Sequence, residues 1–228
     1  MRKYLEGPPP PPLPPELLED LAGLEIATIG HFHHRGFVRH SLRPLAPPAG
    51  ILAGRAVTVA IPGTDSVMLH HAIGTLQPGD VLVIDRLGDD RHACLGGGVA
   101  FAAKAAGAVA AVLDGPCTDP GEIVEVGLPV FCRGVSAITT RLDDLGGALN
   151  LPVACGGVPV MPGDLVLLDA CGVLILPPTE AAEVLAEACV RQARAGRNHD
   201  RIAAGEALGD LSGASARVQA NGHEGGQS

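Results

Sequence analysis

Short apolar runs alternate with polar turns along the chain, and the period of each run predicts an element. Gly54 to Ile61 (G-R-A-V-T-V-A-I) carries β-branched residues and reads as a strand. Ser66 to Leu76 reads as a helix, with Asp65 or Ser66 as its cap. Val81 to Ile84 and Leu165 to Leu168 are unbroken apolar runs, as expected of strands buried on both faces. Each is preceded by Pro-Gly-Asp and followed by Asp, at Pro78-Gly79-Asp80 and Asp85, and at Pro162-Gly163-Asp164 and Asp169. Pro presets one dihedral of such a turn and Gly supplies the other, so the device marks two related strand entries into one sheet system.

The most informative stretch runs from Ala93 to Glu122. A glycine turn, Gly96-Gly97-Gly98, enters a small-residue helix over Val99 to Ala106; Gly107 stops it, and a buried-type strand follows over Ala108 to Leu113. Further on, Gly127 to Phe131 is a short strand. Pro152 to Cys155 and Val158 to Val160 flank Gly156-Gly157 as a hairpin or bulge, and Asp169 to Gly172 turns into a strand over Val173 to Leu176. Thr179 caps a helix over Ala181 to Arg194 that Gly196 ends, and a further short helix lies within 198–210. Glu16 to Leu24 reads as a short helix and Ile26 to Ile29 as a strand or helix start, while Thr139 to Leu149 is weakly patterned. The mix of short strands with few helices predicts an α/β fold. Residues 1–15 form a proline-rich tail, polyproline II in character and either disordered or strapped to the surface. Residues 16–212 form a single domain, and residues 213–228, Gly-rich and polar, a disordered tail.

Composition narrows the function classes. Hydrophobic residues make up 46% and charged residues 18%, so the chain folds; aromatic residues make up only 2%, so the core is Val, Leu, Ile and Ala and base stacking has no platform. A net charge of −9 argues against nucleic acid and anionic membranes as partners. No charged segment followed by an apolar run marks a signal peptide, and no apolar run reaches the ~18 residues of a membrane span. The six cysteines are dispersed without a CxxC pair, which reads as reduced thiols in a cytoplasmic protein rather than a disulfide framework or a zinc site. His31, His33 and His34 lack metal-ligand spacing and an acidic partner, so they read as a solvated or interfacial cluster.

The candidate chemistry lies in the central stretch. A glycine turn at a helix N-terminus presents free backbone N–H groups to an anion. Asp119 and Glu122 follow the next strand, and carboxylates there suit a hard metal ion. The expectation is an anion cradle beside a metal site. A dinucleotide is not expected, because the glycines follow a polar loop rather than a strand.

G-R-A-V-T-V, P-G-D-V-L-V-I-D, A-C-L-G-G-G, G-A-V-A-A-V-L-D-G, D-P-G-E-I and P-G-D-L-V-L-L-D-A-C-G-V-L-I-L-P occur in an order that resembles the RraA-like superfamily over about residues 20–210. That group contains class II 4-hydroxy-4-methyl-2-oxoglutarate aldolases and regulators of ribonuclease E activity. The resemblance implies a layered mixed-sheet α/β fold, swivelling-domain-like, assembled as a homotrimer or homohexamer with sites at subunit interfaces. It implies a small carboxylate substrate, and a pyruvate enolate formed by aldol cleavage or oxaloacetate decarboxylation. The family's aldolases are similar in having Asp or Gly, then twenty residues, then Arg-Asp, then two residues and Glu. Gly97, Asp119 and Glu122 match three of these positions. The match implies Mg²⁺ or Mn²⁺ on Asp119, with Glu122 near the metal and its waters. It also implies a carboxylate cradle from the amides of Gly96, Gly97, Gly98 and Val99.

The sequence departs at one position: where the family has Arg it has Thr118. Thr donates one hydrogen bond but no charge, so the bidentate clamp on pyruvate is lost. Arg86, Arg91 and Arg133 are candidate substitutes, with Arg91 placed among the substrate-binding residues. The alternatives are a non-catalytic regulator that binds a partner enzyme, or a divergent biosynthetic enzyme on the same scaffold.

Overall fold

The structure is a computed structural model that describes residues 2–222; the end of the Gly-rich tail, residues 223–228, lies outside the described residues. The strands are β1 (Tyr4–Glu6), β2 (Arg43–Pro44), β3 (Leu52–Ala60), β4 (Asp80–Asp85), β5 (Ala110–Leu113), β6 (Val130–Cys132), β7 (Gly147–Leu149), β8 (Val153–Cys155), β9 (Val158–Val160), β10 (Leu165–Asp169) and β11 (Gly172–Leu176). The helices are α1 (Pro15–Ala22), α2 (Ile26–Ile29), α3 (Val67–Ile73), α4 (Gly97–Ala105), α5 (Pro120–Val126), α6 (Ala181–Ala203), α7 (Leu208–Ser212) and α8 (Ala214–Asn221). The described chain forms two compact units that divide after Leu185.

In the first unit the main sheet runs β1-β7-β3-β4-β5-β6-β2, with β10 also on β3 and β11 on β10. Strands β3, β4, β5 and β6 are parallel. Alternation along them sorts the core into two layers. Val57, Val59, Leu82 and Ile84 pack with residues of α3, α4 and α5, whereas Ala56, Val81, Val83 and Val112 pack with residues of the β8–β9 hairpin and of β10 and β11. Both faces are covered, which explains why these strands read as unbroken apolar runs.

The two Pro-Gly-Asp turns are built alike. Gly79 and Gly163 have φ of 90° and 92°, the left-handed region that favours glycine. Asp80 accepts the Gln77 amide at 2.7 Å and Asp164 accepts the Met161 amide at 2.8 Å, so each Asp closes its own turn. The strands they launch flank β3, β4 in parallel and β10 antiparallel, with Asp80 and Leu165 both opposite Arg55. Arg55 Nε donates to Asp80 at 2.8 Å, and its Nη1 donates to the Pro10 carbonyl at 2.7 Å.

That last bond changes the reading of the N-terminus. Tyr4–Glu6 pair in parallel with Gly147–Leu149, so part of the proline-rich tail is an edge strand, and Pro10 further along is tied to Arg55. Strand β7 is itself a difference, since weak patterning over 139–149 predicted no element; its partners come from β3 and from the tail, not from local sequence. Ile26–Ile29 are helical. Asp65 rather than Ser66 supplies the side-chain bond at the start of α3, accepting the Val67 amide at 3.1 Å. A 3₁₀ turn over Pro178–Glu180 precedes α6 without a side-chain cap from Thr179.

The second unit is helical in its described part. Helix α6 continues through Gly196, expected to end it, because a single glycine costs an exposed helix only about 1 kcal/mol. Residues 214–221, expected to lack regular structure, form α8. Among the described residues no helix is long and apolar enough to cross a membrane.

Candidate active site

Because β3 to β6 are parallel, the loops that follow them gather at one edge of the sheet, where ligands of open α/β sheets bind. A cleft of about 310 Å³ opens there. One wall is Gly96, Gly98 and Val99 at the start of α4, with Thr118 and Asp119 from the loop after β5. The facing wall is Ser66 and His70 of the α3 region and the segment Thr139, Thr140, Arg141 and Leu142. Ala93 and Cys94 also line it.

Helix α4 starts at Gly97, with Gly96 extended before it and no side chain capping the end. The first-turn amides of Gly97, Gly98 and Val99 therefore have no intrahelical partner, and they carry the positive end of the helix dipole. Helix α5 starts next to it, and its Pro120 at the first position fixes where it begins. Asp119 precedes that proline with φ 50° and ψ 50°, a left-handed conformation that few non-glycine residues adopt. Thr118 is held by its amide on Leu95 O at 2.9 Å, and its hydroxyl donates to Asp119 Oδ1 at 3.3 Å.

The glycines are where the two helix starts touch. A Cβ on Gly96 would stand 2.6 Å from Asp119 Oδ2 and 2.7 Å from Thr118 Cγ2, and one on Gly97 would overlap the Glu122 carboxylate. The cleft gathers Gly96, Gly98, Val99, Thr118 and Asp119, while Gly97 abuts Glu122 behind them. Glu122 does not line the cleft itself; its side chain borders the groove between α4 and α5 with Phe101 and Lys104. Among the described residues no group of three or more His, Cys, Asp or Glu converges as a metal site. Two carboxylates in one helical turn do fit a hard divalent ion that takes one or two protein carboxylates and fills its shell with water and substrate.

The arginines sort differently from expectation. Arg91 is not brought to this cleft; it lines a neighbouring one with Ser41, Asp90, Pro116, Arg133 and Ser136. The cause is Asp89, which accepts the Arg91 and His92 amides at 2.8 and 2.9 Å and turns the loop so that Ala93 and Cys94, not Arg91, face the site. Burial alone would raise the Asp89 carboxyl, but these amides, the His92 ring and the Arg86 charge hold it down to about 2. Arg86 is fully buried beneath the loops, donating to the Gly63 carbonyl. Arg133 is paired with Asp114.

The cleft residues not assigned to the site from sequence include Arg141, His70 and Ser66. Arg141 lies in the weakly patterned segment and carries no local signal. His70 and His71 are adjacent on α3; His70 lines the cleft, while His71 lies 3.8 Å from Glu6. Burial pushes the Cys94 thiol up to about 12, away from the reactive thiolate form.

A mixed sheet with a parallel centre, and with a glycine turn and carboxylates at the carboxyl edge of those strands, defines a layered α/β class. The chain belongs to the RraA-like family, whose model, described as Aldolase/RraA, matches residues 18–175. A Halalkalibacterium halodurans protein provisionally named 4-hydroxy-4-methyl-2-oxoglutarate aldolase is 37% identical over 142 residues, covering 62% of this chain and 67% of its own length. A Thermus thermophilus protein named 4-hydroxy-4-methyl-2-oxoglutarate aldolase is 32% identical over 126 residues, covering 55% of this chain and 75% of its own. Among solved structures, Streptomyces coelicolor RraAS2, titled an unusual member of the RNase ES inhibitor RraA protein family, superposes with a TM-score of 0.72 at 26% identity, covering 87% of this chain and all of that one.

Proposed function

We propose that this chain is a divalent-metal-dependent lyase acting on a 2-keto carboxylate, by aldol cleavage or decarboxylation through a pyruvate enolate. The observation that carries the reading is the junction of α4 and α5, where open amides and two carboxylates abut at Gly96 and Gly97. Asp119, with Glu122 beside it, would hold Mg²⁺ or Mn²⁺, which when bound supplies a Lewis acid for the 2-keto oxygen. The amides of Gly97, Gly98 and Val99 receive the substrate carboxylate. Thr118 engages Asp119 Oδ1 and so fixes the carboxylate with Oδ2 toward Gly96. Glu122 orients a water that takes the proton of the distal hydroxyl in aldol cleavage. The carbon–carbon bond then breaks with its electron pair passing into the enolate, and protonation at the methylene carbon gives pyruvate. His70, on the facing wall, can deliver that proton. This reading carries with it a cytoplasmic homotrimer or homohexamer and a small carboxylate as the only substrate class.

A second reading, a non-catalytic regulator of a partner enzyme, draws on Thr118 and on the inhibitor titles of two structural relatives, RraAS2 and the Thermus thermophilus RraA at TM-score 0.59. Pyruvate release separates the two. The purified protein is assayed on oxaloacetate and 4-hydroxy-4-methyl-2-oxoglutarate with Mg²⁺ or Mn²⁺, with EDTA, and as Asp119→Asn. The lyase reading expects metal-dependent turnover that EDTA abolishes and Asp119→Asn lowers by roughly 10²-fold or more. Turnover absent from the wild type under every metal condition would support the regulator.

A further inference from the structure

The clamp missing at Thr118 raises a question that the cleft itself answers. A 2-keto carboxylate brings a full negative charge into a site where the charge of the proposed divalent ion is already offset by Asp119 and Glu122. Thr118 contributes a neutral hydroxyl, and that hydroxyl is directed to Asp119. Some cation must face the substrate if the carboxylate is to be gripped on both sides.

Four arginines lie around this edge of the sheet, and of these only Arg141 lines the cleft. Arg86 is buried beneath the loops and does not reach the cleft surface. Arg133 is tied to Asp114, and both Arg133 and Arg91 line the neighbouring cleft. Arg141 lines the same cleft as Thr118, Asp119, Gly96 and Gly98. Among the described residues its guanidinium has no hydrogen-bond or ion-pair partner.

Its backbone, by contrast, is fixed. The Arg141 amide donates to Thr64 O at 2.7 Å, and its carbonyl accepts the Ser66 amide at 2.9 Å and the Ser66 hydroxyl at 3.1 Å. One residue earlier, the Thr140 amide donates to Ala93 O at 3.0 Å. Two residues later, the Asp143 amide donates to buried Asp65 at 3.1 Å. The segment is thereby stretched from the α4 side of the cleft to the α3 side. A long cationic side chain on a rigid base, unpartnered and open to an anion site, suits recognition of a carboxylate.

We infer that Arg141 supplies, from the opposite wall, the carboxylate clamp that relatives of this family place at the position of Thr118. The amides at the start of α4 and the guanidinium of Arg141 then hold one carboxylate between them. This inference rests on the lyase reading.

The test is a double-mutant cycle read by binding. Oxalate, a planar dicarboxylate that mimics the enolate, is titrated calorimetrically in the presence of Mg²⁺ into the wild type, Arg141→Gln, Thr118→Arg and the double variant, with oxaloacetate turnover measured beside it. Thermal melts confirm that each variant is folded, and Arg141→Lys keeps the charge without the fork. The expected result is that Arg141→Gln weakens oxalate by roughly 10- to 100-fold, that Arg141→Lys recovers part of the loss, and that Thr118→Arg in the Arg141→Gln background recovers most of it. Wild-type affinity in Arg141→Gln overturns the inference and leaves the lyase reading standing. Failure of both the wild type and Thr118→Arg to bind oxalate or turn over oxaloacetate overturns the lyase reading and the inference with it.

Discussion

Gly97 has no room for a β-carbon, because the Glu122 carboxylate occupies the space it would take. Gly97→Ala therefore pushes Glu122 aside, and since the tip of a flexible side chain can yield, the fold survives. The expected outcome is a loss of roughly 10²-fold in kcat/KM with little change in melting temperature; a loss of stability without a loss of turnover would separate Glu122 from the chemistry. Asp65 behaves in the opposite way. It is fully buried and accepts the amides of Val67, Asp143 and Leu145 at 3.1, 3.1 and 2.8 Å. Burial alone would raise its carboxyl, but these donors outweigh it and hold it below the ordinary carboxylate range. A depressed folded value means that its stabilisation is present above the unfolded value of about 3.9 and is lost as pH falls through the lower folded one. Urea midpoints measured from pH 7 downward should show the wild type converging on Asp65→Asn in acid, with the variant weaker by roughly 3 kcal/mol at neutral pH.

At the scale of elements, the two Pro-Gly-Asp turns make a matched pair of experiments. Both glycines have φ near +90°, so alanine strains either turn by roughly 1–2 kcal/mol. A Cβ on Gly79 meets only Leu18 Cδ1, at 4.0 Å, whereas one on Gly163 stands 3.2 Å from Pro10 Cβ and crowds the N-terminal strap. Gly163→Ala should consequently cost more than Gly79→Ala, and chemical denaturation of the two variants decides it. These turns, β3, β4, the α4 glycines and the carboxylates after β5 were legible because each is specified locally, by turn chemistry, an apolar run or a spacing. Strand β7 was not: Gly147–Leu149 is a strand only because β3 and β1 lie beside it. The same holds for the second wall of the cleft. Thr139 to Leu142 is an irregular segment held by Ala93, Thr64 and Ser66, residues far away in the chain, and no periodicity marks it. Half the site could be read from residues 96–122; the half with Arg141 and His70 required the fold.

At the scale of the molecule, the proline-rich start closes the sheet. Lys3 and Tyr4 bond Asp144 at 2.7 and 2.8 Å, Tyr4–Glu6 cover the free edge of β7, and Pro10 receives buried Arg55. Removing residues 1–12 uncovers a strand edge and deprives a buried guanidinium of one acceptor. The truncated protein should lose roughly 2 kcal/mol and scatter light on standing, both measurable against the full chain. The segment lies far in sequence from everything it touches, and a run of prolines carries no pairing signal of its own, so composition alone gave it only as a tail.

Asp119's left-handed backbone has a bearing on how any such enzyme would be dissected. At φ 50° a residue with an ordinary β-carbon pays for its conformation, and Asp and Asn are among the few that do so cheaply. An alanine scan would therefore confound two losses at this position, the negative charge and the geometry that aims Pro120 and α5. Asparagine removes the charge and keeps the turn; glycine keeps the turn and removes the side chain. The difference between those two variants, rather than either against the parent, isolates what the side chain contributes once its charge is gone.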